Sequence, residues 1–333
     1  MPLTNSIFDA SIPFQKRFEQ VFSYQLEEVE IYRKFLNELG FSVENKIAQT
    51  PDTVPLLPVE AFRDAFVGVR GAEKPELEFR SSGTTSTGKN QRSVHRVLSS
   101  AVYRESIFRG INTFYKLDDF VILGYTPGYS ENPNSSLIWM IRELINSDKT
   151  GISRFLELEK PIPQDLIKAA EKSGRKILLF GAAFGLIDMA EQFPVSLPSG
   201  SVIMETGGMK THRREMTRSD LHKSLAAAFG LPESQVHSEY GMTELLSQAY
   251  STGDEWFKCP HWMRVSIRNP ENPLEAMADG EEGLIGITDL ANLYSCSFLL
   301  TGDKGIKNGE RFKVLGRYYP ENLRGCNFLI DDE

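Results

Sequence analysis

Hydrophobic and polar residues follow more than one periodicity along this chain of 333 residues. Apolar residues recur at helical spacing over residues 13–41, which predicts a helix that Gly40 can cap. The same spacing over Ala101–Phe114 predicts a second helix, with Ser99 or Ser100 as its cap. These two segments are the clearest helices that the pattern alone predicts.

The middle of the chain alternates short apolar runs with amphipathic segments, which predicts strands alternating with helices. The predicted strands are Phe120–Gly124, Lys176–Phe180 and Val202–Glu205, and the predicted helices are Ser136–Ile145, Asp165–Ser173, Phe184–Gln192 and 219–229. This alternation is typical of an α/β protein with a largely parallel sheet. Towards the C-terminus the pattern changes to short strands between Gly, Asn and Asp turns, at Leu284–Asp289, Ser297–Leu300 and Phe312–Leu315.

Three segments follow predicted strands directly: the loop Tyr125–Tyr129, the turn at Gly181 and the turn Thr206–Gly208. Ligands of parallel sheets bind beyond the carboxyl ends of the strands. We therefore expect these segments to border one shared cleft.

Composition excludes several classes of function. With 41% hydrophobic and 25% charged residues the chain is expected to fold, and its net charge of -8 argues against a nucleic-acid partner. No apolar run reaches membrane-spanning length, and the N-terminus lacks the basic and apolar regions of a signal peptide. The three cysteines (Cys259, Cys296 and Cys326) fit no disulfide framework, so we expect a reduced, cytoplasmic protein.

The run Ser81–Lys89 holds six hydroxyl side chains, two glycines and one lysine. Glycine lets the backbone turn its N–H groups towards a ligand, and hydroxyls and an ammonium add donors, as in a loop that cradles phosphates. Gly83–Lys89 fits the first seven positions of the P-loop pattern, but Asn90 stands where the Mg²⁺-binding hydroxyl belongs. A solvated loop without a ligand explains the same residues.

A second segment, Ser238–Glu244, places an aromatic ring, a glycine, a hydroxyl and a carboxylate close together. Tyr240 offers a stacking surface, Thr243 a phosphate donor and Glu244 an oxygen ligand for Mg²⁺. Taken alone, the segment also fits a turn that enters a helix, with Thr243 or Glu244 near its cap.

The order of four motifs along the chain is more specific than any one of them. Ser81–Lys89, Tyr240–Glu244, Thr301–Asp303 and Gly316–Arg317 follow one another in the order of the adenylate-forming superfamily, which the chain resembles. The resemblance implies a large α/β core that binds ATP and Mg²⁺. It implies that the phosphates are faced by Ser81, Ser82, Gly83, Thr84, Thr85 and Lys89. It also implies that Gly207, Gly208 and Tyr240 border adenine and that Asp303 and Arg317 bind the ribose hydroxyls. By the same resemblance, Thr243 meets a phosphate and Glu244 holds Mg²⁺.

The chain resembles one branch of that superfamily in particular, the acyl-protein synthetases of the bacterial bioluminescence fatty-acid reductase complex. The supporting segments are Gly124–Tyr129, Asn134–Leu137, Gly207–Lys210 and Leu323–Cys326. Most members of the superfamily continue past the Gly-Arg pair into a mobile domain with a catalytic lysine, whereas this chain stops at Glu333. We therefore expect a single core over 1–333 without that domain, made of a helical segment (1–60), an α/β part (61–250) and a β-rich part (251–333).

The branch resemblance implies ATP-dependent activation of a carboxylic acid, fatty or of another acyl type, to an acyl-adenylate, with transfer to a thiol. The acceptor is Cys326, a partner protein or CoA. Arg324 would favour a Cys326 thiolate, although a buried, inert cysteine explains that residue equally well. A non-catalytic nucleotide-binding module of the same fold and a P-loop hydrolase are the alternatives. The residues that would line an acyl pocket, or else pack in the core, are Tyr125, Tyr129, Trp139 and Met140.

Overall fold

The structure is a computed structural model that describes residues 3–41, 49–81, 92–127, 133–207 and 216–318. Within these ranges the α-helices are α1 (Leu3–Ile7), α2 (Phe14–Glu28), α3 (Glu30–Glu38), α4 (Ala61–Asp64), α5 (Ser100–Asn112), α6 (Ser136–Ser147), α7 (Gln164–Lys172), α8 (Ala183–Gln192) and α9 (Arg218–Phe229). The strands are β1 (Leu57–Pro58), β2 (Leu77–Arg80), β3 (Val94–Val97), β4 (Phe120–Tyr125), β5 (Arg154–Phe155), β6 (Lys176–Ala182), β7 (Val202–Thr206), β8 (Val236–Tyr240), β9 (Ala249–Ser251), β10 (Phe257–Lys258), β11 (Met263–Arg268), β12 (Glu282–Asp289), β13 (Phe298–Asn308) and β14 (Arg311–Arg317).

Twelve of these strands form one large sheet that is parallel at one end and antiparallel at the other. The parallel part runs in the order β5-β4-β6-β7-β8. The antiparallel part continues β9-β10-β14-β13-β12-β11, with β1 pairing parallel to β13. The remaining pair, β2 and β3, is a separate antiparallel hairpin. This architecture confirms the α/β class with a β-rich C-terminal part.

Both faces of the parallel part are buried, because successive residues of a strand enter different cores. Along β4, Ile122 packs in the core that holds Ile107 of α5 and Ile141 of α6. The next residue, Leu123, packs in a second core beneath α7, α8 and α9, which holds Leu186 among others. Continuous apolar runs are the pattern expected of strands that helices cover on both sides.

The helix predicted over residues 13–41 is divided in two at Val29. This residue has an extended backbone (φ -99°, ψ 93°) and a fully buried side chain. Its N–H bonds the carbonyl of Gln25 and its carbonyl accepts from the N–H of Arg33, so the break leaves neither group without a partner. A single extended residue between two amphipathic helices disturbs the apolar spacing too little to show in the sequence. Gly40 follows α3 with φ +70°, as its predicted capping role requires.

The parallel strands bring several loops to one edge of the sheet. Strands β4, β6, β7 and β8 end at that edge, and β8, which the pattern did not predict, delivers the Tyr240 motif there. Gly181 does not form a turn but lies inside β6. A Cβ on Gly181 would lie 2.2 Å from the carbonyl oxygen of Tyr125, so glycine is required by the close approach of two strands.

Candidate functional site

Three predicted site residues, Tyr240, Asp303 and Arg317, meet in one hydrogen-bonded cluster. The hydroxyl of Tyr240, the last residue of β8, donates to Asp303 Oδ2 at 2.9 Å. Arg317, the last residue of β14, places Nε 3.0 Å from Asp303 Oδ1. The fold therefore brings into contact residues that come from three separate motifs of the sequence.

The pairing of β13 with β14 fixes the position of the carboxylate. Asp303 and Arg317 are register partners in this antiparallel pair, and a bulge follows between Lys304 and Gly305. Asp303 lies in the middle of β13 and not in a turn. The Asp303 N–H bonds the hydroxyl of Thr301 at 3.1 Å, which further limits its movement. Gly302 before it favours a turn locally, but cross-strand pairing outweighs that preference.

Two aromatic rings pack against the ring of Tyr240. The rings of Phe257 and Phe312 meet the Tyr240 ring edge-on, with centroids 5.9 Å and 5.5 Å away. Burial, followed by the neighbouring charge of Asp303, raises the pKa of Tyr240 well above its usual value. The phenol therefore remains protonated and serves as a hydrogen-bond donor to the carboxylate.

Thr243 and Glu244 lie in the connection from β8 to β9, where residues 241–248 form turns and no helix. The alternative interpretation of a helix cap is therefore wrong. Glu244 is buried, and this burial raises the pKa of its carboxyl group. The hydroxyl of Ser93 and the positive charge of Arg317 act in the opposite direction. The carboxyl group thus lies close both to the Asp303 cluster and to the stem of the β2–β3 hairpin.

That hairpin carries the hydroxyl-rich run. Ser81 and Ser93 close its stem, since the N–H of Ser81 bonds the carbonyl of Ser93 at 3.1 Å and the Ser81 hydroxyl accepts from the N–H of Ser93 at 3.0 Å. The P-loop interpretation requires a strand, a loop and then a helix. It is wrong, because the chain returns as the antiparallel strand β3. The predicted residues Ser82, Gly83, Thr84, Thr85 and Lys89 lie outside the described residues.

Gly207 follows β7 with a left-handed backbone (φ +81°), a conformation that favours glycine. It lies beside the end of β8, because Thr206 is the register partner of Glu239. The other predicted glycine of this turn, Gly208, lies outside the described residues. Gly207 and Tyr240 therefore come from neighbouring strand ends, as a shared adenine pocket would need.

One buried carboxyl group next to this turn was missed in the sequence. Glu239 is buried, and the Thr206 hydroxyl donates to its Oε2. Burial raises the pKa of Glu239 to about 7, and the charge of Glu205 adds to the effect while the Thr206 bond opposes it. The position directly before Tyr240 was the only available signal, and a glutamate in a predicted loop is ordinarily solvated.

The two described cysteines do not resemble nucleophiles. Burial raises the pKa of Cys259 and of Cys296 to about 12, so neither thiolate forms near neutral pH. Cys326 lies outside the described residues.

Nowhere in the described ranges do three His, Cys, Asp or Glu side chains gather as a metal-binding group. Among the helices described, none has the length and apolar character needed to cross a bilayer.

The residues considered for an acyl pocket do not share one environment. Trp139 and Met140 of α6 pack with the first core, where the Trp139 ring stacks on Tyr103 with centroids 4.9 Å apart. Tyr125 packs in the second core, across the sheet. Tyr129 lies outside the described residues. Trp139 and Tyr125 therefore lie on opposite faces of the sheet, so an acyl pocket would not be lined by the four expected residues together.

Comparison with known protein families gives a match along nearly the whole chain. The family model described as "Acyl-protein synthetase, LuxE" matches residues 2–333. A curated protein from Aliivibrio fischeri, the long-chain-fatty-acid–luciferin-component ligase, is 22% identical over 337 residues, which cover 93% of this chain and 86% of that protein.

Solved structures share the fold at low sequence identity. An open form of 2-hydroxyisobutyryl-CoA ligase in complex with 2-HIB-AMP and CoA gives a TM-score of 0.62 at 14% identity, covering 91% of this chain and 69% of that one. ATP-bound MatB from Rhodopseudomonas palustris gives a TM-score of 0.52 at 14% identity, covering 75% of this chain and 49% of that one. At these identities the likeness shows the fold alone.

Proposed function

The chain belongs to the acyl-protein synthetase family LuxE, as its motifs predicted, and on this premise we propose that it activates a long-chain fatty acid with ATP and transfers the acyl group to a thiol. Membership makes the chain an adenylate-forming ligase, and it uses ATP. The chain length of the acid is taken from the name of the Aliivibrio fischeri relative. The acceptor thiol and the roles of individual residues are parts of the proposal.

The Tyr240–Asp303–Arg317 cluster is the observation that carries this proposal. An ionised carboxylate offers about four lone-pair directions, and the phenol and guanidinium of the cluster take two of them. Two directions remain for a pair of adjacent hydroxyl groups such as those of a ribose. Gly207 and the Tyr240 ring would border the adenine, at the edge where the parallel strands end.

In the first step an oxygen of the fatty-acid carboxylate attacks the α-phosphorus of ATP. The bond from this phosphorus to the bridging oxygen breaks, and pyrophosphate leaves with that electron pair. Such phosphoryl transfer requires positioning and charge stabilisation more than covalent help from the protein. We assign the positioning of the α-phosphate to the Thr243 hydroxyl, and the neutralisation of the other phosphates to the run Ser81–Lys89.

The residues present fit a magnesium ion that arrives with the nucleotide. Mg²⁺ in such sites usually takes one or two carboxylates together with phosphate oxygens and waters. Glu244 supplies one carboxylate beside the Ser93 hydroxyl. When bound, Mg²⁺ would offset the negative charge that builds up on the departing pyrophosphate.

In the second step a thiolate attacks the acyl carbon of the mixed anhydride, and AMP leaves with the electron pair of the broken C–O bond. Cys326, CoA and a partner protein are the acceptors that the sequence left open. We favour Cys326, because the pKa of each of the other two thiols of this chain is raised by burial to about 12.

ATP–pyrophosphate exchange across a series of acids from acetate to palmitate tests the first step. We expect exchange to be fastest with the long acids. Glu244→Gln should lower its kcat/KM on the order of a hundredfold, because the metal would lose the carboxylate that we assign to it. The matched control is Glu310→Gln, which alters a side chain that is 87% exposed, and it should leave exchange unchanged.

Two results would contradict the assignments. Normal exchange in Glu244→Gln would remove its metal role. Absence of exchange by the unmodified chain with every acid would leave a non-catalytic nucleotide-binding module as the better explanation, and retained ATP binding by calorimetry would support it.

A further inference from the structure

Strand β3, the second stem of the hydroxyl-rich hairpin, makes direct contact with the Thr243–Glu244 pair. Two alternate residues of this stem are involved, Ser93 just before the strand and His95 within it. The hydroxyl of Ser93 lies near the Glu244 side chain and lowers the pKa of its carboxyl group. His95 Nδ1 lies 2.8 Å from the main-chain oxygen of Thr243. The stem therefore holds Thr243 by a hydrogen bond and lowers the pKa of Glu244 through Ser93.

His95 is enclosed and uses both ring nitrogens. Its Nε2 lies 3.0 Å from the hydroxyl of Ser295, and its ring meets Phe62 edge-on with centroids 5.2 Å apart. Only 1% of the residue is exposed, and burial lowers its pKa to about 4. The imidazole is therefore neutral near pH 7. Because a carbonyl oxygen only accepts, the ring hydrogen is on Nδ1, and Nε2 accepts from Ser295.

The two consecutive carbonyl groups of the pair are held by different side chains. Asn292 Nδ2 donates to the main-chain oxygen of Glu244 at 2.8 Å, in the same way that His95 Nδ1 donates to that of Thr243. Both Asn292 and Ser295 belong to the connection from β12 to β13. His95 thus joins the hairpin, the Thr243–Glu244 turn and this connection.

We propose that His95 is a positioning residue for adenylation, whose Nδ1–H fixes the Thr243 carbonyl and thereby aims the Thr243 hydroxyl and the Glu244 carboxylate at magnesium-bound ATP. The inference rests on the roles proposed above for Thr243 and Glu244. Misplacement of a positioning contact by a fraction of an ångström is sufficient to reduce a transfer rate. His95 itself contacts no substrate.

Two substitutions of similar polarity separate this role from simple core packing. The side-chain amide of His95→Asn places an N–H at the position of Nδ1 and can still donate to Thr243. His95→Gln carries its amide one methylene further, towards Ser295, and loses the donor at Nδ1. We expect Asn to stay within about threefold of the unmodified kcat/KM for ATP, and Gln to lose about tenfold.

The effect of Mg²⁺ on the Kd of ATP distinguishes a positioning role from a purely structural one, which would not change it. Calorimetry gives the Kd of ATP with and without Mg²⁺, and it requires no turnover. We expect His95→Gln to weaken binding of the magnesium complex about tenfold, clearly more than binding of metal-free ATP, while leaving the KM for the fatty acid unchanged. The matched control is His237→Gln. That buried histidine bonds Tyr115 at 2.7 Å, at the other end of β8, and its substitution should leave the Kd of the magnesium complex unchanged.

The proposal would be overturned if His95→Asn and His95→Gln had equal Kd values for magnesium-bound ATP. It would also be overturned if the loss of ATP affinity were the same with and without Mg²⁺. Absence of pyrophosphate exchange in the unmodified chain would instead overturn the proposed chemistry. In that case a weaker Kd for magnesium-bound ATP in Gln but not in Asn would still support the positioning role of His95.

Discussion

Asp303 has a protein partner for each carboxylate oxygen, the Tyr240 hydroxyl on one and the Arg317 guanidinium on the other. If the remaining lone pairs accept from ribose, Asp303→Asn removes a charged acceptor and introduces a donor where none fits. We expect the KM for ATP in pyrophosphate exchange to rise about 10- to 100-fold, since hydrogen bonds to charged groups contribute about 1.5–3 kcal/mol.

A nucleotide without ribose hydroxyls provides the control for this substitution. 2′,3′-Dideoxy-ATP should bind the unmodified chain more weakly than ATP, and Asp303→Asn should abolish most of that difference. Equal discrimination between the two nucleotides in both proteins would contradict the assignment. Tyr240→Phe is the matched variant, because it keeps the aromatic ring and removes one of the two contacts that hold the carboxylate.

At the scale of elements, the ends of β7 and β8 are joined through a buried carboxyl group. The Thr206 hydroxyl donates to Glu239, and burial raises the pKa of that group from 4.5 to about 7. The folded state therefore holds a proton that the unfolded chain loses at lower pH. Its contribution to stability is complete below about pH 4.5 and is lost as the pH rises through about 7.

Glu239→Gln should consequently flatten the dependence of stability on pH. We expect the unmodified chain to lose on the order of 3 kcal/mol of unfolding free energy from this group between pH 4.5 and 8, and the variant to lose correspondingly less. Urea unfolding at the two pH values measures both. Glu171→Gln, on the exposed side of α7, is the control and should keep the full pH dependence. An unchanged difference in Glu239→Gln would show that the carboxyl group is already ionised in the folded protein.

The elements themselves were predictable where one physical pattern dominates. Helix α5 with its Ser99 cap and the doubly covered strands β4, β6 and β7 follow from apolar spacing, because burial decides their residues. Strand β8 was not predicted, since Val236–Tyr240 contains His, Ser and Glu whose partners are side chains of other elements. The Ser238 hydroxyl, for example, bonds Glu205 of β7.

In the candidate site, too, features that depend on neighbouring residues were predictable, and contacts between distant parts of the chain were not. The residue types of Tyr240, Asp303 and Arg317 were recognisable from the order of motifs. Their contacts depend on the register of β13 with β14, which no local pattern records. His95 was not singled out at all, because a histidine in a short strand has no distinguishing neighbour in the sequence and its partners, Thr243 and Ser295, are distant along the chain.

Across the whole molecule, the Tyr240–Asp303–Arg317 cluster lies where the two parts of the large sheet meet. Tyr240 ends the last parallel strand, whereas Asp303 and Arg317 belong to the antiparallel part. The Phe257 and Phe312 rings, which support Tyr240, stack on each other across β10 and β14 with centroids 5.4 Å apart. Binding a nucleotide would therefore engage both parts of the sheet at once, and its affinity should respond to changes in either.

A test of the proposed acyl acceptor involves the whole chain, because each of its three thiols can be examined for an acyl adduct. Burial raises the pKa of both Cys259 and Cys296 to about 12, although Cys259 is partly exposed whereas Cys296 is fully buried. Incubation with ATP, Mg²⁺ and palmitate should therefore give one hydroxylamine-labile acyl adduct by intact-mass analysis. The adduct should persist in Cys259→Ser and Cys296→Ser and disappear in Cys326→Ser. Its persistence in Cys326→Ser would exclude that cysteine as acceptor. Pyrophosphate exchange without any adduct would point to CoA or a partner protein as the acceptor, since the adenylate would form without an internal thiol to receive it.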